Sequence, residues 1–194
     1  MKACIFFFLS LTTAILGNIP NKPIGFIAIK PSYFYPQDSS CRHLYKGGFL
    51  PLGEIGFYLP SHFFLSLEGG YFHKKKQIQS FDIRSSSTLT QVPISLCVGY
   101  IYPLRSYLDI YLKIGPNGIY TRTAVSIPNL ASEKKKYTFG FTLATGTKFY
   151  LYKGLYTEIF CNYLYNRKKI HSSNDSFFVY LGGLQIGGSL GYRF

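Results

Sequence analysis

An all-β architecture is expected for this 194-residue chain: eight antiparallel strands, running up and down, closed into a transmembrane barrel behind an N-terminal signal peptide. Three observations lead there. Stretches along most of the chain alternate apolar and polar residues with a period of two, as strands with one greasy face do. The connections between them alternate long and short, the rhythm of barrels with long outer loops and tight inner turns. Charged residues make up only 15% against 19% aromatic residues, with a mean hydropathy of +0.09. An ordinary soluble domain carries about 25% charged residues, so the shortage implies a lipid-facing surface. After the first residues no segment offers the roughly 20 consecutive apolar residues of a spanning helix. That leaves closed β-structure, because lipid gives open backbone polar groups no partners.

In chain order, Met1 and Lys2 precede an apolar run from Ala3 to Gly17, a basic start and greasy stretch of signal-peptide length. Residues 1–19 are assigned to it, with cleavage between 17 and 20, and residues 20–194 to the barrel domain. Strands are expected at 24–35, 48–58, 63–73, 89–102, 107–120, 137–152, 155–166 and 181–194. The long connections are then 36–47, 74–88, 121–136 and 167–180. The short ones are Leu59–His62, Pro103–Ser106 and Lys153–Gly154. Phe57, Tyr58, Phe63, Tyr100, Tyr102, Tyr107, Tyr150, Tyr152, Tyr156, Tyr192 and Phe194 gather where strands meet short turns, an expected girdle at the headgroup level. Pro31, Pro51, Pro93 and Pro116 fall toward the long-loop ends, where bulges are tolerated, so an irregular outer rim is expected.

Parity separates two faces. One carries Ile27, Ile29, Ile55, Phe57, Leu65, Leu67, Val92, Ile94, Leu96, Val98, Leu108, Ile110, Leu112, Ile114, Phe139, Phe141, Leu143, Ile159 and Cys161, with no charge among them. The opposite face carries Lys30, Glu54, Glu68, Asp109, Lys113, Lys148, Glu158 and Arg193, four cations and four anions. An eight-stranded barrel is narrow enough for side chains to fill. A balanced internal set therefore reads as a lumen charge network, since an unpaired buried charge is costly.

The last strand, LGGLQIGGSLGYRF, has the same alternation and ends on an aromatic residue. Here the chain resembles the small bacterial outer-membrane β-barrels of the OmpA-transmembrane-domain, OmpX and OmpW type. Their final strand typically ends aromatic-x-Phe, and Tyr192, Arg193 and Phe194 match it. The resemblance implies that Tyr192 and Phe194 form a signal for the barrel assembly machinery. A peptidoglycan-binding domain of the kind found in full-length OmpA is not expected beyond Phe194, and on that expectation the resemblance implies the OmpX or OmpW kind. A Gram-negative outer-membrane location with cell-surface loops is implied too, and a monomer.

The formal net charge of +13 is concentrated in the long connections. Three triples stand near the expected rim: Lys74, Lys75 and Lys76; Lys134, Lys135 and Lys136; Arg167, Lys168 and Lys169. They read either as depth markers holding the barrel in the bilayer or as an anion-binding outer rim for lipopolysaccharide and for host or environmental polyanions. Specific nucleic-acid recognition is not expected of an exported barrel with no recognition motif.

No HExxH, CxxC or Gly-rich phosphate motif is present, and His43, His62, His73 and His171 lack metal-ligand spacing. No catalytic residue, metal site or cofactor is assigned. His73 with Ser66, or His171 with Ser172 or Ser173, would be the pairs to test for a lipid A-modifying enzyme. Cys41 is expected in an exposed loop, open to an intermolecular disulfide, with Cys97 on the lumen face and Cys161 on the lipid face. The expected work is structural, adhesive or envelope-interacting, through the loops. The alternatives are an OmpW-like barrel passing small hydrophobic molecules and a soluble exported ligand-binding barrel.

Overall fold

A computed structural model describes residues 23–80, 83–127, 130–171 and 176–194. The expected signal peptide, with its cleavage site, lies outside the described residues. Among the described residues ten strands, one short α-helix and one 3-10 turn follow in order: β1 (Gly25–Pro36), α1 (Ser39–Tyr45), β2 (Gly48–Tyr58), the 3-10 turn (Pro60–His62), β3 (Phe63–Gly70), β4 (Phe72–Ser80), β5 (Ile83–Arg105), β6 (Leu108–Ile127), β7 (Leu130–Tyr150), β8 (Leu155–His171), β9 (Ser176–Tyr180) and β10 (Gly183–Arg193). β3 and β4 are two parts of one stave, as are β9 and β10, so the staves number eight. Each pairs antiparallel with its neighbours, and β10 pairs with both β8 and β1, closing the ring. Following the register around the ring from Phe26 returns to β1 at Pro36, a shear of ten residues. Shear of that size on eight strands tilts them by roughly 40°.

The prolines explain where the pairing lapses. Pro51 accepts a backbone hydrogen bond from Tyr71 at 3.2 Å and cannot return one. The stave breaks there, between β3 and β4. Pro93 stands opposite the same break, since the β3–β5 pairing ends at Gly69↔Ile94 and β4 resumes at Phe72↔Gln91. The β1–β10 pairing likewise skips Lys30 and Pro31. At these four prolines the pairing lapses without a bulge, so the register is unchanged across each. The register shift among the described pairings lies at the opposite end, between Pro103 and Arg105. A missing donor removes one bond without adding a residue, so the ladder can continue in phase.

In three of the four expected long loops the described residues are strand. β4 and β5 pair out to Ser80↔Ile83, β6 and β7 out to Ile127↔Leu130, and β8 pairs β9 as far as His171↔Ser176. The outer parts of β4, β5, β6 and β7 form one four-stranded sheet rising above the barrel. Only 37–47 is a loop without strand, and it carries α1.

Outside, Ile27, Ile29, Leu67, Ile94, Leu96, Val98, Leu112, Ile114, Leu143 and Ile159 are exposed aliphatics. Aromatic rings bound them at both ends: Phe57, Phe63, Tyr100, Tyr102, Tyr107, Tyr152, Tyr192 and Phe194 below, and Tyr33, Phe49, Tyr71, Tyr137 and Phe139 above. From Phe57 to Phe49 along β2 is about 26 Å of strand, or about 20 Å of height once tilted. That approaches the ~25 Å apolar band of a membrane barrel. Tyr58, Tyr150 and Tyr156, expected in the lower girdle, turn inward instead, in phase with Glu54, Lys148 and Glu158 on their own strands.

Candidate functional site

The lumen is built in layers. At its centre Lys30 Nζ lies 2.8 Å from Glu54 Oε2, 3.1 Å from Glu68 Oε2 and 3.1 Å from Glu158 Oε1. Lys113 Nζ lies 2.7 Å from Glu54 Oε1 and 2.9 Å from Glu68 Oε2. Asn162 Nδ2 donates to Glu68 Oε1 at 2.9 Å, and Tyr111 Oη to Glu158 Oε1 at 2.5 Å. All of these side chains are buried. The carboxylates thus sit among donors that offset the cost of taking their charge out of water.

Among the described residues, no carboxylate lies within ion-pair distance of Lys148. Its ammonium stands in a cage of rings, 4.2 Å from the centroid of Phe26, 5.0 Å from Tyr156 and 5.3 Å from both Phe64 and Tyr111. Aromatic faces are negative at their centres and attract a desolvated cation. Each ring lies over a glycine directly opposite on the next strand: Phe26 over Gly56, Phe64 over Gly99, Tyr111 over Gly146 and Tyr156 over Gly191. A Cβ at any of them would stand 2.2–2.8 Å from its ring. The glycines are where the cage fits into the wall. Asp109 and Arg193, expected in the same network, stay below it. They meet Tyr150 from two sides, Tyr150 Oη donating to Asp109 Oδ2 at 2.6 Å and the guanidinium lying 4.0 Å over the ring.

Above the ion pairs, Phe34, Leu50, Phe72, Ile119 and Leu164 form an apolar layer, roofed by Tyr45 from the end of α1. Tyr45 Oη shares a hydrogen bond with Ser87 Oγ at 2.6 Å. The sequence had marked neither Tyr45 nor the cage. For the cage, the shared parity of Tyr156 with Glu158 was the available signal; for Tyr45 there was none.

At the rim, the lysine triples split by the same parity. Lys75 and Lys135 turn outward, whereas Lys74, Lys76 and Lys136 are half-buried on the mouth side; Lys134, in phase with Lys136 but further out, is exposed. Arg167 is exposed, and the side chains of Lys168 and Lys169 lie outside the described residues. Arg122, which the triples did not include, completes the outward group. Glu133 Oε2 lies 2.7 Å from Arg122, and its other oxygen 3.2 Å from Lys135. The hydrogen bonds from Arg122 and then Lys135 hold the Glu133 carboxyl below the usual carboxylate range. On the outer face, aromatic and cation follow each other along four staves: Tyr71 then Lys75, Tyr120 then Arg122, Tyr137 then Lys135, Tyr165 then Arg167. On β1 and α1, Arg42 lies over the Tyr35 ring at 5.3 Å.

Tyr192 and Phe194 are exposed at the lower end, where Phe194 exchanges backbone hydrogen bonds with Gly25. Ser66 is buried in the lumen while His73 is exposed, bonded to Thr90 Oγ1 at 3.0 Å, so these two are not brought together. His171, as a side chain, and Ser172 and Ser173 lie outside the described residues, as does the Cys41 side chain. Cys97 is buried and Cys161 half-buried, both as free thiols. Among the described residues no group of His, Cys, Asp and Glu could hold a metal.

Solved structures similar to this chain include small outer-membrane barrels. Neisserial surface protein A is 13% identical, with a TM-score of 0.60 over 88% of this chain and 97% of that one. OprG from Pseudomonas aeruginosa is 14% identical, with a TM-score of 0.57 over 91% and 100%. Ail of Yersinia pestis, solved in complex with the heparin analogue sucrose octasulfate, is 8% identical, with a TM-score of 0.54 over 89% and 100%. No curated protein matches the chain. The model of the outer membrane protein beta-barrel domain matches residues 36–194. With its closed antiparallel ring, its exposed apolar band and its charged interior, the chain belongs to that family and is an integral protein of the bacterial outer membrane.

Proposed function

We propose that the protein is a non-enzymatic surface barrel whose outer rim binds phosphate-bearing lipopolysaccharide and, from outside, anionic polymers. The observation that carries this is the outward sequence of aromatic then cation on four staves, Tyr71 and Lys75, Tyr120 and Arg122, Tyr137 and Lys135, Tyr165 and Arg167. Rings at the headgroup level with cations just beyond them meet the sugar phosphates of the outer leaflet at matching depth. The Ail barrel, which has the same fold, was solved with a sulfated ligand, which is consistent with a polyanion at such a rim. Lys168 and Lys169 belong to the proposed rim by sequence alone. Tyr192 and Phe194, exposed at the lower end, are proposed as the signal for the barrel assembly machinery.

Passage of small hydrophobic molecules fits less well. The Lys30–Glu54–Lys113 cluster, the aromatic cage and the apolar layer under Tyr45 fill the bore. The test is the triple variant Lys75→Gln, Lys135→Gln, Arg167→Gln, refolded in detergent and titrated with lipopolysaccharide at two salt concentrations. Weaker binding with a shallower salt dependence is expected. Unchanged affinity would return these residues to a depth-marking role.

A further inference from the structure

The inward half of each lysine triple faces a part of the molecule that the outer collar does not use. Lys74 Nζ lies against the inner face of Gly48, where a Cβ would stand 3.4 Å from it. Lys76 Nζ donates to the carbonyl oxygen of His43 at 3.3 Å, beneath α1. Lys136 is the cross-strand neighbour of Thr121, which in turn neighbours Gln91 on β5. On β8, Asn166 stands opposite Gly140, and a Cβ on that glycine would come 2.9 Å from its amide carbon. These residues share the mouth, just above the apolar layer of Phe34, Ile119 and Leu164.

Two features of this floor call for a ligand. Thr121 Oγ1 and both amide atoms of Asn166 are buried without a hydrogen-bond partner. A buried polar group left unmatched costs about 1–3 kcal/mol, so each of these atoms gains from a partner brought to it. In addition, the described strand faces turned into the mouth carry no carboxylate. Glu133 is turned outward to Arg122 and Lys135, and Glu68 is committed to Lys30 and Lys113 below the apolar layer. The cup therefore has cations on its walls, unmatched amide and hydroxyl groups on its floor, and a greasy seal beneath.

We infer that the mouth is a second anion site, closed at the bottom, that takes a small soluble oligophosphate or sulfated sugar from outside the cell. Lys74, Lys76 and Lys136 supply the charge. Asn166 and Thr121 give the hydrogen bonds that a flat cationic rim lacks, the amide matching both an acidic oxygen and a sugar hydroxyl. Tyr45, bonded to Ser87 at the roof, is displaced as the ligand enters, and Lys76 exchanges the His43 carbonyl for the anion. This site is independent of the outward collar, because adjacent lysines of one strand point to opposite sides of the wall.

The experiment is calorimetric titration of the detergent-refolded full barrel with inositol hexakisphosphate. The inward double variant Lys74→Gln, Lys136→Gln is expected to weaken binding about tenfold or more. The outward double variant Lys75→Gln, Lys135→Gln is expected to change it by less than about threefold, since only long-range field is lost. Asn166→Leu, which keeps the volume and removes the orphan amide, is expected to weaken binding while the heat-dependent gel shift of the closed barrel persists. Equal losses from the two double variants, or full affinity in Asn166→Leu, would overturn the site. Lipopolysaccharide titrated against the same outward variant reads the collar, so the two proposals fail separately.

Discussion

Glu54 is the acceptor on which the lumen charges turn, and replacing it by leucine gives a worked prediction. Its two oxygens take Lys113 at 2.7 Å and Lys30 at 2.8 Å, with all three side chains buried. Glu54→Leu leaves Lys30, Lys113 and Lys148 facing only Glu68 and Glu158, one cation in excess inside the wall. Breaking one partner from a buried pair costs about 3–5 kcal/mol, because the remaining charge is stranded. Removing the matching cation as well, in Glu54→Leu, Lys113→Leu, restores the balance and is expected to recover about half of that loss or more. The assay is reversible urea unfolding of the barrel in lipid vesicles, with gel mobility as the measure of closure. The coupling between the two sites should exceed about 2 kcal/mol. A single variant costing less than about 1 kcal/mol, or a double variant equal to the sum of the singles, would refute the reasoning, since it would mean that water in the bore screens these charges.

Other perturbations test other parts of the wall. Gly99→Ala places a Cβ 2.2 Å from the Phe64 ring, whereas at Gly53 nothing lies within 4 Å. The first should cost about 1–3 kcal/mol in the same unfolding assay and the second almost nothing; equal effects would discount the ring-on-glycine fit. Leu112 is 56% exposed in the middle of the apolar band, so Leu112→Arg should cost about 2–4 kcal/mol and slow insertion. Tolerance there would invert the assignment of faces. Glu133 has its pKa lowered by Arg122 and then Lys135, so its help to the β6–β7 arm is present above the unfolded carboxyl pKa and fades as pH falls through the folded one. Over that acidic window the rim also gains one positive charge, and affinity for lipopolysaccharide should rise. Glu133→Gln should remove this pH dependence; a persistent rise would assign it to another group.

Much of the barrel was readable from alternation because lipid enforces it. Leu112 and Lys113 differ in kind because one faces hydrocarbon and the other a closed bore, and that contrast survives in the bare sequence. The arms above the bilayer were not readable for the same reason. From Lys74 to Gln77 on β4 and from Ser86 to Thr88 on β5 both faces meet water or polar neighbours, so the period of two loses its apolar beat and the serines of β5 resemble a loop. The triples were visible as charge, but their division into outward and inward members needed the register of Thr121 against Lys136. Tyr58, Tyr150 and Tyr156 were misplaced because aromatic character was weighed above parity. The four glycines under the cage could be recognised only once each was found opposite its ring.

The pairing of β10 with β1 also bears on how such a chain is made. Each other stave finds a partner as soon as the next one is drawn in, but the two edges of the growing sheet stay open until Gly183 to Phe194 arrive between β8 and β1. An open sheet of seven staves is a template for the wrong partner, and in lipid its unpaired edge groups have no solvent. The final strand is thus the one whose capture turns a hazard into a finished wall. Slow assembly, rather than low stability, is what a fault in that strand should produce.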